Sequence, residues 1–220
     1  MVKLTWLGHS GFVLQFRDIT FYIDPVLAPL NNPDLILCTH AAHIYPDTLL
    51  PALAASPHVK IVLPKSAADH ARSLGIPFER MTTTDSGLRV EYFKNGLYGR
   101  VYSIPSAHPD LDFTPLGGYP YLGYLIRFGE ITVYHAGGCR NYAGLADRLK
   151  PYRVTVALLP IGPDSFEPAQ AAQLAEDIGA PWLVPMAYHD PAPFVDHMLG
   201  FRPSIGFKVF APGEGWTILI

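Results

Sequence analysis

The sequence predicts an α+β fold in which two mixed β-sheets pack face to face with helices outside, and three observations carry that prediction. Residues 2–23 hold three short strand-like runs separated only by Leu7-Gly8-His9-Ser10 and Arg17-Asp18, spacing that favours an antiparallel meander. Strands and helices then alternate. Strands resume near residue 79, and two halves, each a strand meander followed by strand–helix alternation, suggest two mixed sheets. No repeat is visible at the level of individual residues.

In chain order, residues 2–6, 11–16 and 19–23 form the meander, and Asp24-Pro25 places a carboxylate at its exit. Residues 35–39 are a continuous apolar run of the kind buried on both faces, which puts His40 at the end of a buried strand. Residues 46–55 turn helical, 59–63 are another buried strand, and 66–74 are a helix stopped by Gly75. Strands resume over 79–83, 87–93 and 100–104, with Asn95-Gly96 as a hairpin turn. Residues 109–123 set Gly and Pro around aromatic side chains and read as a mobile loop or lid. A hairpin over 124–128 and 131–134 precedes a helix at 142–149 and a buried strand at 154–160. In residues 167–178, Ala171, Leu174, Ala175 and Ile178 recur at helical spacing, with Ser165 as cap and Gly179 as stop. A strand at 182–186, a helix at 193–199 and closing strands at 208–210 and 216–220 complete the reading.

At 220 residues the chain is expected to be a single domain spanning residues 1–220. Its 49% hydrophobic and 16% charged residues and net charge of −3 describe a globule without a basic field for phosphate backbones, so nucleic acid is not an expected partner. No apolar stretch approaches the roughly 20 residues that cross a bilayer, and the first residues enter strand alternation without a leader pattern. A cytoplasmic location away from membranes is the expectation. Cys38 and Cys139 make no disulfide framework and are expected to be reduced. The 22 prolines and 19 glycines are spread along the chain, marking many short turns rather than one linker.

Four strand ends deliver polar clusters: His40/His43, His108/Asp110, His135/Cys139 and His189/Asp190. Layered α/β folds commonly build their sites from residues at strand exits. His58, His70 and His197 lie in helix or loop contexts and are read as having no role.

The motifs carry a resemblance. Trp6-Leu7-Gly8-His9-Ser10-Gly11-Phe12, Tyr22-Ile23-Asp24-Pro25, Cys38-Thr39-His40, Ile104-Pro105-Ser106-Ala107-His108, Tyr134-His135-Ala136-Gly137, Leu159-Pro160-Ile161-Gly162, Val184-Pro185-Met186 and Ala211-Pro212-Gly213-Glu214 occur in an order that resembles the metallo-β-lactamase superfamily. The branch most similar is that of metal-dependent hydrolases akin to ascorbate-6-phosphate lactonase. The resemblance implies an αββα sandwich with a site at one edge of the paired sheets. It also implies a pair of zinc ions. His40, position 42 and His108 would hold one, positions 44, 45 and 187 the other, and position 138 would bridge them. Only His40 and His108 match. Ala42, Ile44, Tyr45, Gly138 and Ala187 stand where the other five ligands belong.

Two function classes follow. His43 stands one residue past Ala42 and His189 two past Ala187, so either would complete a three-His site for one divalent metal, zinc before others, with His40 and His108. The reaction would then be hydrolysis of an ester, lactone or phosphoester, with Asp24 or Asp190 orienting or deprotonating the water. The alternative is a chain without metal that serves as a non-catalytic small-molecule binding or interaction module. In either case His9, Ala42, Ile44, Tyr45 and Gly138 would wall the pocket, together with His135, Cys139, Ala187 and Tyr188. Cys139 as a nucleophile would need His135 as its base; packing is the commoner role for such a thiol. The partner is a small molecule, and a homo-oligomer through the aromatic loop is left open.

Overall fold

The computed structural model describes residues 1–114, 118–201 and 204–219. Its first half runs β1 (Val2–Gly8), β2 (Gly11–Phe16), β3 (Ile19–Ile23), β4 (Leu35–Leu37), α1 (Pro46–Ala55), β5 (Lys60–Pro64), α2 (Ala68–Ser73) and β6 (Met81–Thr84). The second half begins with β7 (Arg89–Lys94), β8 (Leu97–Pro105), β9 (Leu122–Phe128) and β10 (Ile131–His135). It continues with α3 (Leu145–Leu149), β11 (Val156–Pro160), α4 (Pro168–Asp177), β12 (Trp182–Met186), α5 (Ala192–Phe201), β13 (Gly206–Phe207) and β14 (Gly215–Ile218).

Two seven-stranded sheets result, ordered β14-β1-β2-β3-β4-β5-β6 and β13-β12-β11-β10-β9-β8-β7. In each, an antiparallel meander leads into parallel strands joined through crossovers: β3 to β6 in one, β10 to β13 in the other. The repeat that is invisible residue by residue is therefore present in the topology. β14 crosses back to pair antiparallel with β1, Val2 opposite Ile218.

Strand alternation divides the buried side chains between two layers. Ile19, Phe21 and Ile23 of β3 and Leu35 and Leu37 of β4 join the core between the sheets, where Phe21 meets Phe128 at 5.0 Å. Tyr22, Ile36 and Cys38 enter the opposite cluster with Leu49 and Leu53 of α1 and Ala71 of α2. A strand apolar on both faces is what a sheet covered on both sides requires. Each large apolar side chain removed from water in this way contributes about 1.5–3 kcal/mol.

Several boundaries differ from the sequence reading. The helix expected at 66–74 is a 3-10 turn at Lys65–Ala67 followed by α2, and 79–83 opens with a 3-10 turn at Phe78–Arg80 before β6. The helix expected at 142–149 is only α3, and β8 extends back to the Asn95-Gly96 turn. Glu167, not Ser165, caps α4: its carboxylate accepts the N–H of Gln170, whose side chain in turn bonds the Glu167 N–H at 3.2 Å, and Pro168 begins the helix. The closing strand expected at 208–210 is displaced to β13, and Ile220 lies outside the described residues. So do positions 115–117 of the expected lid, whose flanks are tied by Thr114 N–H to Gly118 O at 2.9 Å and Tyr119 N–H to Asp85 at 3.0 Å.

Candidate functional site

Chain direction brings the exits of β4 and β8 and the entry of β9 to one rim, and cross-sheet bonds fasten it. The Leu122 N–H donates to Thr39 O at 2.9 Å, and the Tyr124 hydroxyl donates to Cys38 O at 2.8 Å. At the β1–β2 turn, the His9 carbonyl accepts the Trp6 indole N–H at 2.8 Å and the Ala187 N–H at 3.1 Å, tying the exit of β12 to the same edge.

Asp24 is the anchor. It is fully buried, and its backbone N–H is held on Leu37 O at 2.8 Å. Its Oδ1 accepts the Thr39 N–H at 2.8 Å, while its Oδ2 accepts the Thr39 hydroxyl at 2.7 Å and His43 Nδ1–H at 2.8 Å. Burial alone would push the carboxyl up. The nearby His43 and its hydrogen bond, aided by His135 and His40, outweigh that and hold Asp24 down at about 2. For His43 burial works against protonation, and the Asp24 carboxylate overrides it and raises the imidazole.

Because the Thr39 hydroxyl spends its proton on Asp24, its oxygen accepts at the imidazoles: His40 Nδ1 lies 3.0 Å away and His43 Nδ1 3.2 Å. The network thus assigns the Nδ1 proton to both rings and leaves Nε2 as the unshared nitrogen of each. Their ring centroids are 3.9 Å apart. Burial, then the neighbouring His43, push His40 down to about 4, so it is neutral near pH 7. His108 lies 6.3 Å from His40 between centroids and stacks on Tyr121 at 4.9 Å.

The remaining ligand positions carry residues that offer no ligand in the expected place. A Cβ added at Gly138 would lie 2.9 Å from His108 Cδ2 and 4.0 Å from His40 Cε1, so the rings fill the space a side chain there would need. Ile44 is buried in the cluster beneath α1, and Tyr45 stacks on His43 at 5.9 Å. Ala187 has φ +55°, a backbone state few β-carbon residues adopt, and lines the cavity with only a methyl group.

Three adjoining cavities open on this rim. One of about 160 Å³ is lined by His9, His40, His43, His108, Gly138 and Ala187, among others. A second of about 500 Å³ shares Asp164, Ser165 and Ala187 with it and extends along Phe166, Tyr188 and His189. A third of about 370 Å³ lies against His40, Ala42 and Tyr121.

Several expectations from the sequence require correction. Asp24 is not a base for a bound water: it is fully buried and both oxygens are engaged. Asp190 is exposed, and its Oδ1 accepts the Ala192 N–H at 2.9 Å at the start of α5. His135 is fully buried, donating from Nε2 to Ser10 O at 2.8 Å and accepting the Gly137 N–H at Nδ1, so it joins the sheets rather than facing the pocket. Cys139 is also fully buried, its thiol bonded to Arg140 O at 3.0 Å and pushed up by burial to about 11, which rules out a thiolate nucleophile. Tyr188 does wall the larger cavity, with its hydroxyl donating to Phe210 O at 3.0 Å. His189 is exposed in the larger cavity and is not brought to His40 and His108. Thr39, hub of the network, was in view as part of a motif but without a role. Tyr121 and Asp164 carried no signal for the site, and Ser165 carried one only as a helix cap.

Among the described residues no three His, Cys, Asp or Glu side chains converge as a ligand set for a metal ion. A carboxylate at the bridging position would need the His108 ring to move. The donors present do not fit the two-ion site, nor a closed three-ligand site.

The β-lactamase superfamily domain model matches residues 3–187. A protein of Methanoculleus marisnigri named as a metal-dependent hydrolase is 29% identical over 227 residues, covering 97% of this chain and 95% of its own. A Methanosarcina barkeri protein of the same designation is 30% identical over 199 residues, covering 85% and 83%. Among solved structures, Igni18, described as a novel metallo hydrolase from Ignicoccus hospitalis, superposes with a TM-score of 0.78 at 24% identity, covering 100% of this chain and 99% of that one.

Proposed function

The chain belongs to the β-lactamase superfamily, and from that premise we propose that it is a member whose rim binds a small organic molecule without the metal ions its relatives' names imply. One observation carries the reading: Gly138, at the bridging position, is packed against His108 so closely that a Cβ would sit 2.9 Å from the ring. A bridging carboxylate there would need His108 to move, and Ala42, Ile44, Tyr45 and Ala187 supply no other ligand in its place.

The cavities fit such a ligand. Its polar end would meet the Nε2 nitrogens of His40 and His43 in the small cavity, and its body would lie along Phe166 and Tyr188 in the larger one. The likeness to ascorbate-6-phosphate lactonases supports a ligand of sugar-like polarity only through the order of sequence motifs.

The competing reading, metal-assisted hydrolysis of an ester, lactone or phosphoester, is favoured by the relatives' designation and by the retained His40 and His108. Turnover of chromogenic esters, lactones and phosphoesters, measured with and without added Zn²⁺ or Mn²⁺, separates the two. The proposal expects no metal-stimulated turnover above the uncatalysed rate. Metal-stimulated turnover abolished by His40→Ala would establish the hydrolase instead.

A further inference from the structure

On the rim opposite the imidazoles, where β11 and β12 begin, a cavity of about 450 Å³ opens between the 3-10 turn Lys150–Tyr152, the loop after α4 and the end of β14. We propose that this cavity binds an organic anion carrying an aromatic ring. Its size is that of ordinary small-molecule sites, about 300–1,000 Å³.

Two cations stand at one side. Lys150 shares a carboxylate with Asp147 at 3.3 Å in an exposed contact, while among the described residues Arg153 makes no ion pair. Arg153 also has φ +51°, a left-handed backbone state uncommon outside Gly and Asn, and its N–H is held on Lys150 O at 3.3 Å. Strained backbone that sets a charged side chain at a cavity wall is a recurrent mark of ligand sites.

The other side is a fixed aromatic wall. Trp182 is 37% exposed, and its ring meets Trp216 edge-on at 5.0 Å. Gly206 lies beneath it so closely that a Cβ there would come within 2.5 Å of the indole, so the ring has no room to tilt in that direction. Ile178 and Val154 add apolar surface. Indole offers a stacking face and guanidinium a planar set of donors for a carboxylate, sulfonate or phosphate. A neutral ring would forgo the charge-assisted hydrogen bonds, and an inorganic anion would forgo the stacking.

The probe is 8-anilinonaphthalene-1-sulfonate, whose fluorescence rises on binding, titrated into the full chain at low ionic strength. The expected result is saturable binding that weakens at least about tenfold in the Lys150→Glu/Arg153→Glu variant, a loss in line with a charged hydrogen-bonded contact. It should weaken likewise in Trp182→Ala and be unchanged in His40→Ala. The neutral N-phenyl-1-naphthylamine should bind the native chain at least about tenfold less tightly than the sulfonate. Both cations are exposed, so far-UV circular dichroism of the charge variant should match the native chain. Equal affinity in native and charge-reversed proteins, or loss in His40→Ala alone, would overturn the assignment. The His40→Ala arm also separates this site from the rim site of the proposed function.

Discussion

In the first half of the sandwich, the exits of β3 and β4 carry Asp24, Thr39 and His43, with Thr39 and His43 both held to Asp24, at 2.7 and 2.8 Å. In the second half, the cavity beside them receives Gly138, Pro160 and Ala187 at the exits of β10, β11 and β12, with His108 after β8 and Asp164 and Ser165 from the loop after β11. Both halves repeat one strand order, yet among the described residues only the first builds a network around a buried carboxylate. The difference teaches what such groups are retained for. A buried carboxylate must have partners whether or not an ion is present, so Asp24 and the residues that satisfy it belong to the fold. Ligand positions whose only partner is an ion lose their reason with it, and small or apolar residues can occupy them without cost to the core.

The largest effect expected on this comparison is at Asp24. Asp24→Ala leaves His43 and Thr39 without their acceptor inside the protein and should cost about 3–5 kcal/mol in urea unfolding. A loss below about 1 kcal/mol would show that the network does not support the fold. His43→Ala removes one of two donors to Oδ2 and should cost about 1–3 kcal/mol, with Thr39 still in place. Gly138→Asp should cost a similar amount, about 1–3 kcal/mol, because the new side chain must displace His108, and by itself should gain no metal. Ala187→His, in the emptied half, should stay within about 0.5 kcal/mol of the native chain, since the backbone there already holds positive φ and the side chain faces the cavity.

Acid should expose the same asymmetry. Burial keeps His9 and His135 below the ordinary 6.5 and His40 at about 4, so the unfolded chain takes up protons that the folded one refuses. Stability should therefore fall as pH drops from about 6.5 toward 4. His43 works in the opposite sense: its contribution is complete below 6.5 and is lost as pH rises through its raised value. Three lowered imidazoles outnumber the one raised. Asp24 adds a second loss as pH falls from 3.8 to about 2. Unfolding midpoints across this range should show the decline, and His40→Ala should flatten its upper part. A midpoint that rises on acidification would contradict the assignment of neutral imidazoles.

The order of layers was legible because apolar runs such as Leu35-Ile36-Leu37 need a sheet covered on both sides, and because Ala171, Leu174 and Ala175 can share a buried face only in a helix. Short 3-10 turns at Lys65–Ala67 and Phe78–Arg80 were not, since their residues suit helix and strand equally. At the rim, His40 and His108 were placed by their strand exits. The bond from His43 to Asp24 was hidden, because it depends on the 3-10 turn Ala41–His43 swinging the ring back over β3. His135 and Cys139 stood in the right stretch of sequence but face the interior, which one residue's difference in a strand or turn decides.

The central claim, that the retained histidines do not form a metal site, is tested most directly by elemental analysis of the full chain after incubation with excess Zn²⁺ and exhaustive dialysis at neutral pH. The account predicts at most about 0.1 Zn²⁺ per chain, unchanged by His40→Ala and His108→Ala, since two imidazoles without a third ligand hold zinc weakly. One Zn²⁺ per chain, lost in both variants, would contradict it.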